Sequence, residues 1–358
     1  MQIQRDAGDE AYQALCLNNI GNIYMAKGEN QDAVTYFQQA LQIREKLGVP
    51  GDIAESLHNL GEVYVNLGQY DEAMSSYMRA LDLNRKNSDA HGAALQSHSL
   101  GVLFQLQGRI GPAVSALQDA VTGLQQSGDH ARPLADSLND LADALARAGR
   151  SKESAAPLQE AQTIAHDLKS DALNASLLLT QGDVAFYAGD LKAASSLYDQ
   201  ALRASAHVSE ADLAMLAKLD LGKAAIADGR AGGAVSSLRS VAQQADAQGR
   251  SYISLDADVT IAEGMLRLKD YVHPRQELER DLARSEKLGT RLQSAKIHYL
   301  LGEALRLTAN QSEAALQYRQ AVTILDAIKA EPGAEHLAER FDLQAVYKAA
   351  SAPLSGTN

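Results

Sequence analysis

The chain has 358 residues, of which 46% are hydrophobic, and it carries a formal net charge of −12. The hydrophobic fraction excludes a disordered chain, and no apolar run approaches the roughly 20 residues that a membrane-spanning helix needs. Because phosphate binding depends on clustered Lys and Arg, the acidic balance argues against a nucleic-acid partner.

One pattern repeats along almost the whole chain. A small residue recurs every 40 positions, with a single step of 41, at Gly21, Gly61, Gly101, Ala142, Gly182, Gly222, Ala262 and Gly302. Seven residues after each of these comes a second series, which reads Gly28, Gly68, Gly108, Gly149, Gly189, Gly229, Lys269 and Ala309. Apolar residues recur every three or four positions on both sides of this second series, which predicts two helices joined by a tight turn. Eight such helix pairs, repeats one to eight, are expected over residues 14–333.

The order of small, aromatic, glycine and alanine positions resembles the tetratricopeptide (TPR) repeat. Residues 57–83, LHNLGEVYVNLGQYDEAMSSYMRALDL, are similar to that motif throughout. The common TPR unit has about 34 residues, so these longer units look like the subtype of kinesin light chains and bacterial signalling proteins. The resemblance implies an all-α solenoid, a right-handed superhelix whose concave groove binds a protein or an extended peptide. Such a stack is one solenoid, not two ordinary domains.

The 40-residue match also extends back to the first residues, because residues 1–8 align with residues 41–48. We therefore predict that residues 1–13 are the end of a truncated preceding repeat, in which residues 1–8 are the end of its second helix. On this hypothesis the sequence is a piece of a longer protein with a covalently linked N-terminal region. The alternative is that residues 1–8 form a frayed turn.

In the TPR family the first helix of each unit lines the groove, and five positions around the first small residue meet the ligand. The resemblance implies the binding residues Asn18, Asn19 and Asn22 in repeat one, His58, Asn59, Glu62 and Asn66 in repeat two, His98 and Gln105 in repeat three, and Asn139, Asp140 and Asp143 in repeat four. Carboxamides both donate and accept hydrogen bonds, so rows of Asn can hold a peptide backbone. The alternative is that these Asn side chains are merely solvated.

Acidic residues accumulate along the same face of repeats two to five, at Glu55, Glu62, Asp136, Asp140, Asp143 and Asp183. An acidic wall attracts Lys and Arg, so we predict a basic partner; the alternative is a surface that only keeps the chain soluble. His58 and His98 occupy equivalent positions and are expected to face each other as a polar pair. Repeats five to eight carry apolar residues such as Phe186 and Tyr299 near the groove, as for a hydrophobic anchor.

Proline marks two irregular repeats. Pro274 occupies an alanine position of repeat seven, so the second helix there is expected to begin at about Pro274, after a loose turn. Pro157 is expected to shift or kink the second helix of repeat four. Beyond the repeats, residues 334–352 predict an amphipathic capping helix with Leu337, Phe341 and Leu343 towards repeat eight, and residues 353–358 a disordered tail.

No phosphate-binding loop, metalloprotease His pair or nucleophile elbow is present in the sequence, which predicts a protein that is not an enzyme and needs no cofactor or metal. The one cysteine, Cys16, forms no internal disulfide, and no signal peptide opens the chain, so we expect a cytoplasmic location. The leading interpretation is an adaptor or scaffold. The alternative is a regulatory or sensory domain of a larger signalling protein, with a kinase, cyclase or DNA-binding effector; an enzyme is a further alternative that no motif supports.

Overall fold

The computed structural model describes residues 2–128, 131–206, 208 and 211–351. Within these residues there are 17 α-helices and no strand, and the first 16 helices form eight consecutive pairs. The first helices of the pairs are α1 (Gln2–Ala26), α3 (Pro50–Asn66), α5 (Ala90–Leu106), α7 (Arg132–Arg147), α9 (Asp171–Tyr187), α11 (Ala211–Ala227), α13 (Ser251–Arg267) and α15 (Arg291–Leu307). The second helices are α2 (Asn30–Leu47), α4 (Tyr70–Lys86), α6 (Ile110–Gln126), α8 (Ala155–Leu168), α10 (Leu191–Ser205), α12 (Ala231–Ala247), α14 (His273–Leu288) and α16 (Gln311–Lys329). The predicted all-α solenoid is confirmed.

The N-terminal helix differs from its prediction. No helix ends at Gly8, and the frayed turn of the alternative is not formed over residues 2–8, since α1 runs without a break from Gln2 to Ala26. The aligned Gly48 does end its helix, with a φ of 72°. Pro50 follows Gly48 and holds Val49 in an extended conformation, whereas residues 9–26 contain no proline. The relation of residues 1–13 to a preceding repeat stays a prediction.

Both proline predictions are confirmed. Pro274 lies in the first turn of α14, which begins at His273. The carboxylate of Asp270 accepts the backbone N–H groups of Val272 and His273, both at 3.3 Å, and so holds the looser turn before it. In repeat four, α8 begins at Ala155 after an irregular turn over residues 151–154, and Pro157 lies within its first turn.

The C-terminal segment, residues 334–351, is helical over a shorter stretch than expected. A short 3₁₀ turn spans Leu337–Glu339, and α17 spans Phe341–Ser351. Arg340 between them is extended, with φ −62° and ψ 132°, as is usual for the residue before a helix. Its guanidinium reaches back to the Arg147 carbonyl of repeat four. The predicted tail, 353–358, lies outside the described residues.

The superhelix closes on itself, so late repeats contact early ones. Arg250, before α13, donates to the Asn66 side chain of repeat two at 2.7 Å. The backbone N–H of Arg291, the first residue of α15, donates to the Gln107 carbonyl of repeat three at 3.2 Å. The Glu331 carboxylate, after α16, accepts the backbone N–H of Gly111 at 3.0 Å. Residues later in the chain therefore contact later positions of repeats two and three.

The closure brings apolar residues of early and late repeats into contact. A single apolar cluster includes Leu134 and Leu173 of repeats four and five, Ile328 of repeat eight, and Leu337 and Val346 of the C-terminal segment. Burying such side chains stabilises the fold by roughly 1.5–3 kcal/mol each. No helix in the described part of the chain has the length and apolar character to cross a membrane.

Candidate functional site

The inside of the superhelix contains two cavities lined mainly by the first helices of the repeats. The first cavity, of about 630 Å³, lies among repeats one to four and is closed on one side by Asp212 and Arg250. The second cavity, of about 410 Å³, lies among repeats four to eight under the C-terminal segment. Helix α7 contributes to both, with Asp136 in the first cavity and Arg147 in the second.

The first cavity brings five of the predicted residues together. They are half-buried side chains of α3, α5 and α7, namely His58, Glu62, Asn66, His98 and Asp136. Arg250 completes this set by binding Asn66 at 2.7 Å and Asp212 at 3.0 Å. The 40-residue register did not identify Arg250, because it reaches the cavity only through the closure of the superhelix.

The two histidines of this cavity do not pair with each other. The His58 ring lies 3.3 Å from Gln96 Oε1 and 3.5 Å from Glu62, whereas His98 Nε2 lies 2.7 Å from Asp140 Oδ2. Burial opposes protonation of both rings, but the neighbouring carboxylates outweigh it. Glu62 thereby raises the pKa of His58, and Asp140 raises the pKa of His98, each above 6.5. The expected face-to-face pair is therefore replaced by two separate imidazole–carboxylate contacts.

Part of the predicted asparagine row connects neighbouring helices. Asn18 is only 2% exposed; its amide donates to Glu55 at 3.2 Å, and its carbonyl accepts from Asn59 at 2.9 Å. Asn139 is 4% exposed and donates to Ser176 at 3.1 Å. Direct ligand contact at Asn18 does not fit this burial, because its amide N–H and its carbonyl both bond to the next repeat. Asn139 is equally buried, and its carbonyl oxygen has no hydrogen-bond partner among the described residues. Asn19 and Asn22 are exposed on α1, outside both cavities.

The predicted acidic wall is partly neutralised by contacts within the fold. Gln105 donates to Asp143 at 3.0 Å, and Arg147 pairs with the same carboxylate at 2.7 Å. Asp140 is held by His98, and Glu55 by Arg44 at 3.2 Å. Gln105, Asp140 and Asp143 line neither cavity. Glu62 and Asp136 keep side-chain exposures of 45% and 32%, so these two carboxylates remain accessible in the first cavity.

The second cavity contains many charged residues, whereas the sequence predicted mainly apolar ones in repeats five to eight. Lys223 bridges Asp220 at 3.0 Å and Asp256 at 2.7 Å. Glu263 binds Lys296 at 2.7 Å, and the Tyr198 hydroxyl donates to the predicted residue Asp183 at 2.6 Å. Several of these residues occupy the ligand positions already used in repeats one to four. Continuing that register through repeats six and seven identifies Asp220, Lys223 and Glu263, so the signal was present in the sequence.

The surroundings of Asp183 disfavour its ionised form. Burial, reinforced by the charges of Asp220 and Asp143, raises the pKa of Asp183 well above its ordinary value of 3.8. The charge of Arg147 and the hydrogen bond from Tyr198 oppose this shift only in part. Carboxyl groups with raised pKa values often mark binding or catalytic sites, because their surroundings are not optimised for stability.

We expect Asp183→Asn to stabilise the chain near pH 8 by about 2 °C in melting temperature and to have little effect near about pH 4. The folded-state pKa is raised, so ionisation of Asp183 costs stability increasingly as the pH rises from the unfolded value through the folded one. Thermal unfolding across this range measures the effect. The exposed Asp119→Asn substitution is the control. A loss of stability that is equal at every pH would contradict the assigned shift.

Comparisons with known proteins agree with the repeat architecture. Sequence models described as tetratricopeptide repeat match residues 12–86, 52–126 and 179–249, slightly more than half of the chain. No curated protein sequence matches it.

Two solved structures share the fold. A Rap protein complexed with competence and sporulation factor has a TM-score of 0.66 at 12% identity, over 91% of this chain and 99% of its own. A signal-transduction ATPase with a TPR sensor, from Pyrococcus horikoshii, has a TM-score of 0.53 at 14% identity, over 90% of this chain and 52% of its own. Because the eight helix pairs, the repeated glycine turns and the matching sequence models all agree, the chain belongs to the tetratricopeptide repeat family.

Proposed function

We propose that the chain is an interaction module that binds an extended peptide, or an extended segment of a protein, in the first cavity. The observation that carries this proposal is a cavity of about 630 Å³ in which half-buried polar side chains of successive repeats converge. That volume lies within the range of about 300–1,000 Å³ typical of ligand sites. The similar Rap protein was solved in complex with competence and sporulation factor, which supports ligand binding as the function of this fold.

The charges of the first cavity favour a segment that contains Lys or Arg. Glu62 and Asp136 are the accessible carboxylates, while Asp212 is engaged by Arg250. Asp136 also pairs with Arg132 at 2.8 Å, and a cationic ligand would compete for this carboxylate. Acidic groups inside a concave, partly desolvated surface attract cations more strongly than the same groups on a convex surface.

We expect the double variant Glu62→Gln, Asp136→Asn to bind a basic peptide at least about tenfold more weakly, a loss of about 1.4 kcal/mol. Peptides of about ten residues (a span of roughly 33 Å when extended) would be selected from a random display library with the wild-type chain. Their dissociation constants would then be measured by fluorescence anisotropy. The control, Asp82→Asn with Asp119→Asn, makes the same charge change at exposed positions of α4 and α6. Enrichment of acidic peptides, or equal binding by both variants, would contradict the proposal.

The same peptides provide a pH test. Since the pKa values of His58 and His98 are raised, both imidazoles gain charge as the pH falls towards 6.5. The first cavity thereby becomes less negative, so affinity for a basic peptide should rise severalfold between about pH 6 and about pH 8. In the His58→Gln, His98→Gln variant this pH dependence should be much smaller. An unchanged profile in that variant would show that other groups set it.

A second candidate function is regulation within a larger signalling protein. It is favoured by the similarity to a TPR sensor within a signal-transduction ATPase, of which this chain spans about half the length. On this proposal the ligand of the first cavity controls a linked effector domain. The test is to express the complete natural gene product and to measure whether a selected peptide changes the activity of any linked domain. No change on saturation with the peptide would favour the simple adaptor.

A further inference from the structure

The C-terminal segment lies inside the superhelix, not merely on the end of the last repeat. Its Arg340, Phe341 and Asp342 line the second cavity together with residues of repeats four to eight. A helix that only capped repeat eight would need contacts with α16 alone. This one reaches the inner face of repeats four and five, far away in the sequence.

Three consecutive side chains of the segment make three chemically different contacts. The guanidinium of Arg340 is 5% exposed, lies 4.0 Å from the ring centroid of Tyr187, and donates to the Arg147 carbonyl at 3.1 Å. The Phe341 ring meets Phe186 edge to face, with centroids 6.3 Å apart. The groove therefore accommodates a cation next to an aromatic ring.

Asp342 supplies the third contact. Burial opposes its ionisation, but the charges of Arg340 and Lys296 outweigh burial and lower the pKa of Asp342. Lys296 in turn has its pKa raised by Glu263 and Asp342, against its own burial. The Asp342 carboxylate accepts from the Arg340 guanidinium of the same segment at 2.7 and 3.0 Å, and Lys296 of repeat eight adds a positive charge to its surroundings. The groove therefore accommodates a segment that carries a cation, an aromatic ring and an anion in that order.

The segment covers the groove without filling it. A cavity of about 410 Å³ remains beneath it, lined by the charged residues of repeats five to seven and by the Gln293 side chain. Gln293 is 7% exposed, and its amide donates to the Tyr252 hydroxyl at 2.6 Å, while its carbonyl oxygen has no hydrogen-bond partner among the described residues. A packed core leaves few such voids and few unsatisfied amides. The space and the unsatisfied polar atom indicate a site built for a larger occupant.

We propose that repeats four to eight form a second peptide-binding groove, which the C-terminal segment occupies in cis, and that its partner is a peptide carrying a basic, an aromatic and an acidic residue in succession. This groove is separate from the first cavity, so either site can fail its test without the other. The partner binds by displacing the segment, and its apparent affinity is lowered by the fraction of chains in which the segment is bound.

The test uses the full chain and a fluorescein-labelled peptide with the sequence of residues 336–350. In the variant Arg340→Ala, Phe341→Ala the cis contacts are weakened, and the peptide should bind at least about tenfold more tightly than to the wild-type chain. The matched control, His336→Ala with Glu339→Ala, changes two exposed residues of the same segment and should bind like the wild type. Circular dichroism establishes that each variant is folded.

Two substitutions test the recognition itself. A peptide with Ala at the three positions equivalent to Arg340, Phe341 and Asp342 should lose at least about tenfold in affinity, and Lys296→Gln in the weakened chain should lose severalfold. If the folded variant binds no peptide, or binds the Ala peptide equally well, the segment is only a structural cap and the proposal is wrong.

If the weakened variant does not fold, hydrogen exchange in the wild-type chain provides an independent test. In the wild-type chain, saturating peptide should increase deuterium uptake in residues 337–351 and leave uptake in α2 unchanged. Unchanged uptake in the segment at saturation would overturn displacement.

Discussion

Gly149→Ala is expected to destabilise the fold by more than about 3 kcal/mol, because two separate constraints meet at this turn. Gly149 has a φ of 81°, a conformation that costs an Ala residue roughly 1–2 kcal/mol. A Cβ atom here would also lie only 2.0 Å from the backbone carbonyl oxygen of His336. The C-terminal segment would have to move away, exposing Leu337, Leu343 and Val346, which are otherwise buried.

Gly229→Ala separates the two constraints. Gly229 has the same kind of backbone, with a φ of 82°, but a Cβ there would meet nothing within 4 Å. We expect a loss of only roughly 1–2 kcal/mol at this position, the cost of the backbone conformation alone. Thermal unfolding compares the two variants, and hydrogen exchange in residues 337–351 shows whether the segment has been released. Equal destabilisation by both variants would contradict the role assigned to closure.

Tyr198→Ala is expected to cost about 3–5 kcal/mol, the usual effect of removing a buried aromatic side chain. Tyr198 is 1% exposed and packs directly over Gly182, where a Cβ would lie 2.3 Å from the tyrosine ring. Its hydroxyl also donates to Asp183 at 2.6 Å, so it positions a carboxyl group of the second cavity. The side chain therefore links packing between α9 and α10 to the geometry of the cavity.

Tyr198→Phe distinguishes these roles. It keeps the ring and removes the hydrogen bond, so the expected loss is about 1.5 kcal/mol. The hydrogen bond from Tyr198 lowers the Asp183 pKa, and its loss should raise that pKa further. Unfolding by denaturant measures stability, with local hydrogen exchange in α9 and α10 as a second readout because solenoids need not unfold in one step. If Phe is as damaging as Ala, packing is not the main contribution of Tyr198.

The turn conformation continues beyond the point where the glycine series ends. Lys269 and Ala309 keep the turn conformation, with φ values of 67° and 66°, although neither is glycine. Those turns belong to repeats seven and eight, whereas the turn of repeat four is covered by the C-terminal segment. Lys269 departs from the glycine that the second series has in repeats one to six. The structure shows that the backbone conformation is retained there.

Many residues of the candidate site could be predicted from the sequence. Which of them face a ligand, and which only pack between repeats, could not. The repeat register singled out His58, Glu62, Asn66 and His98, and the acidic pattern added Asp136; all five line the first cavity. The register could not distinguish Asn19, which is exposed, from Asn18, which is buried against the next repeat. One residue step rotates a helical side chain by about 100°, and the exact tilt between neighbouring helices decides which side chain faces the ligand.

The sequence by itself determined the eight helix pairs, their turns and the late start of α14, because these depend on residues close together in the chain. Only the tertiary structure decided that the superhelix closes, that Arg250 joins the first cavity and that the C-terminal segment enters the groove of repeats four to eight. The physical reason is that superhelical pitch is the sum of small rotations between successive repeats. Each rotation is set by packing at one interface, and no local pattern records their sum.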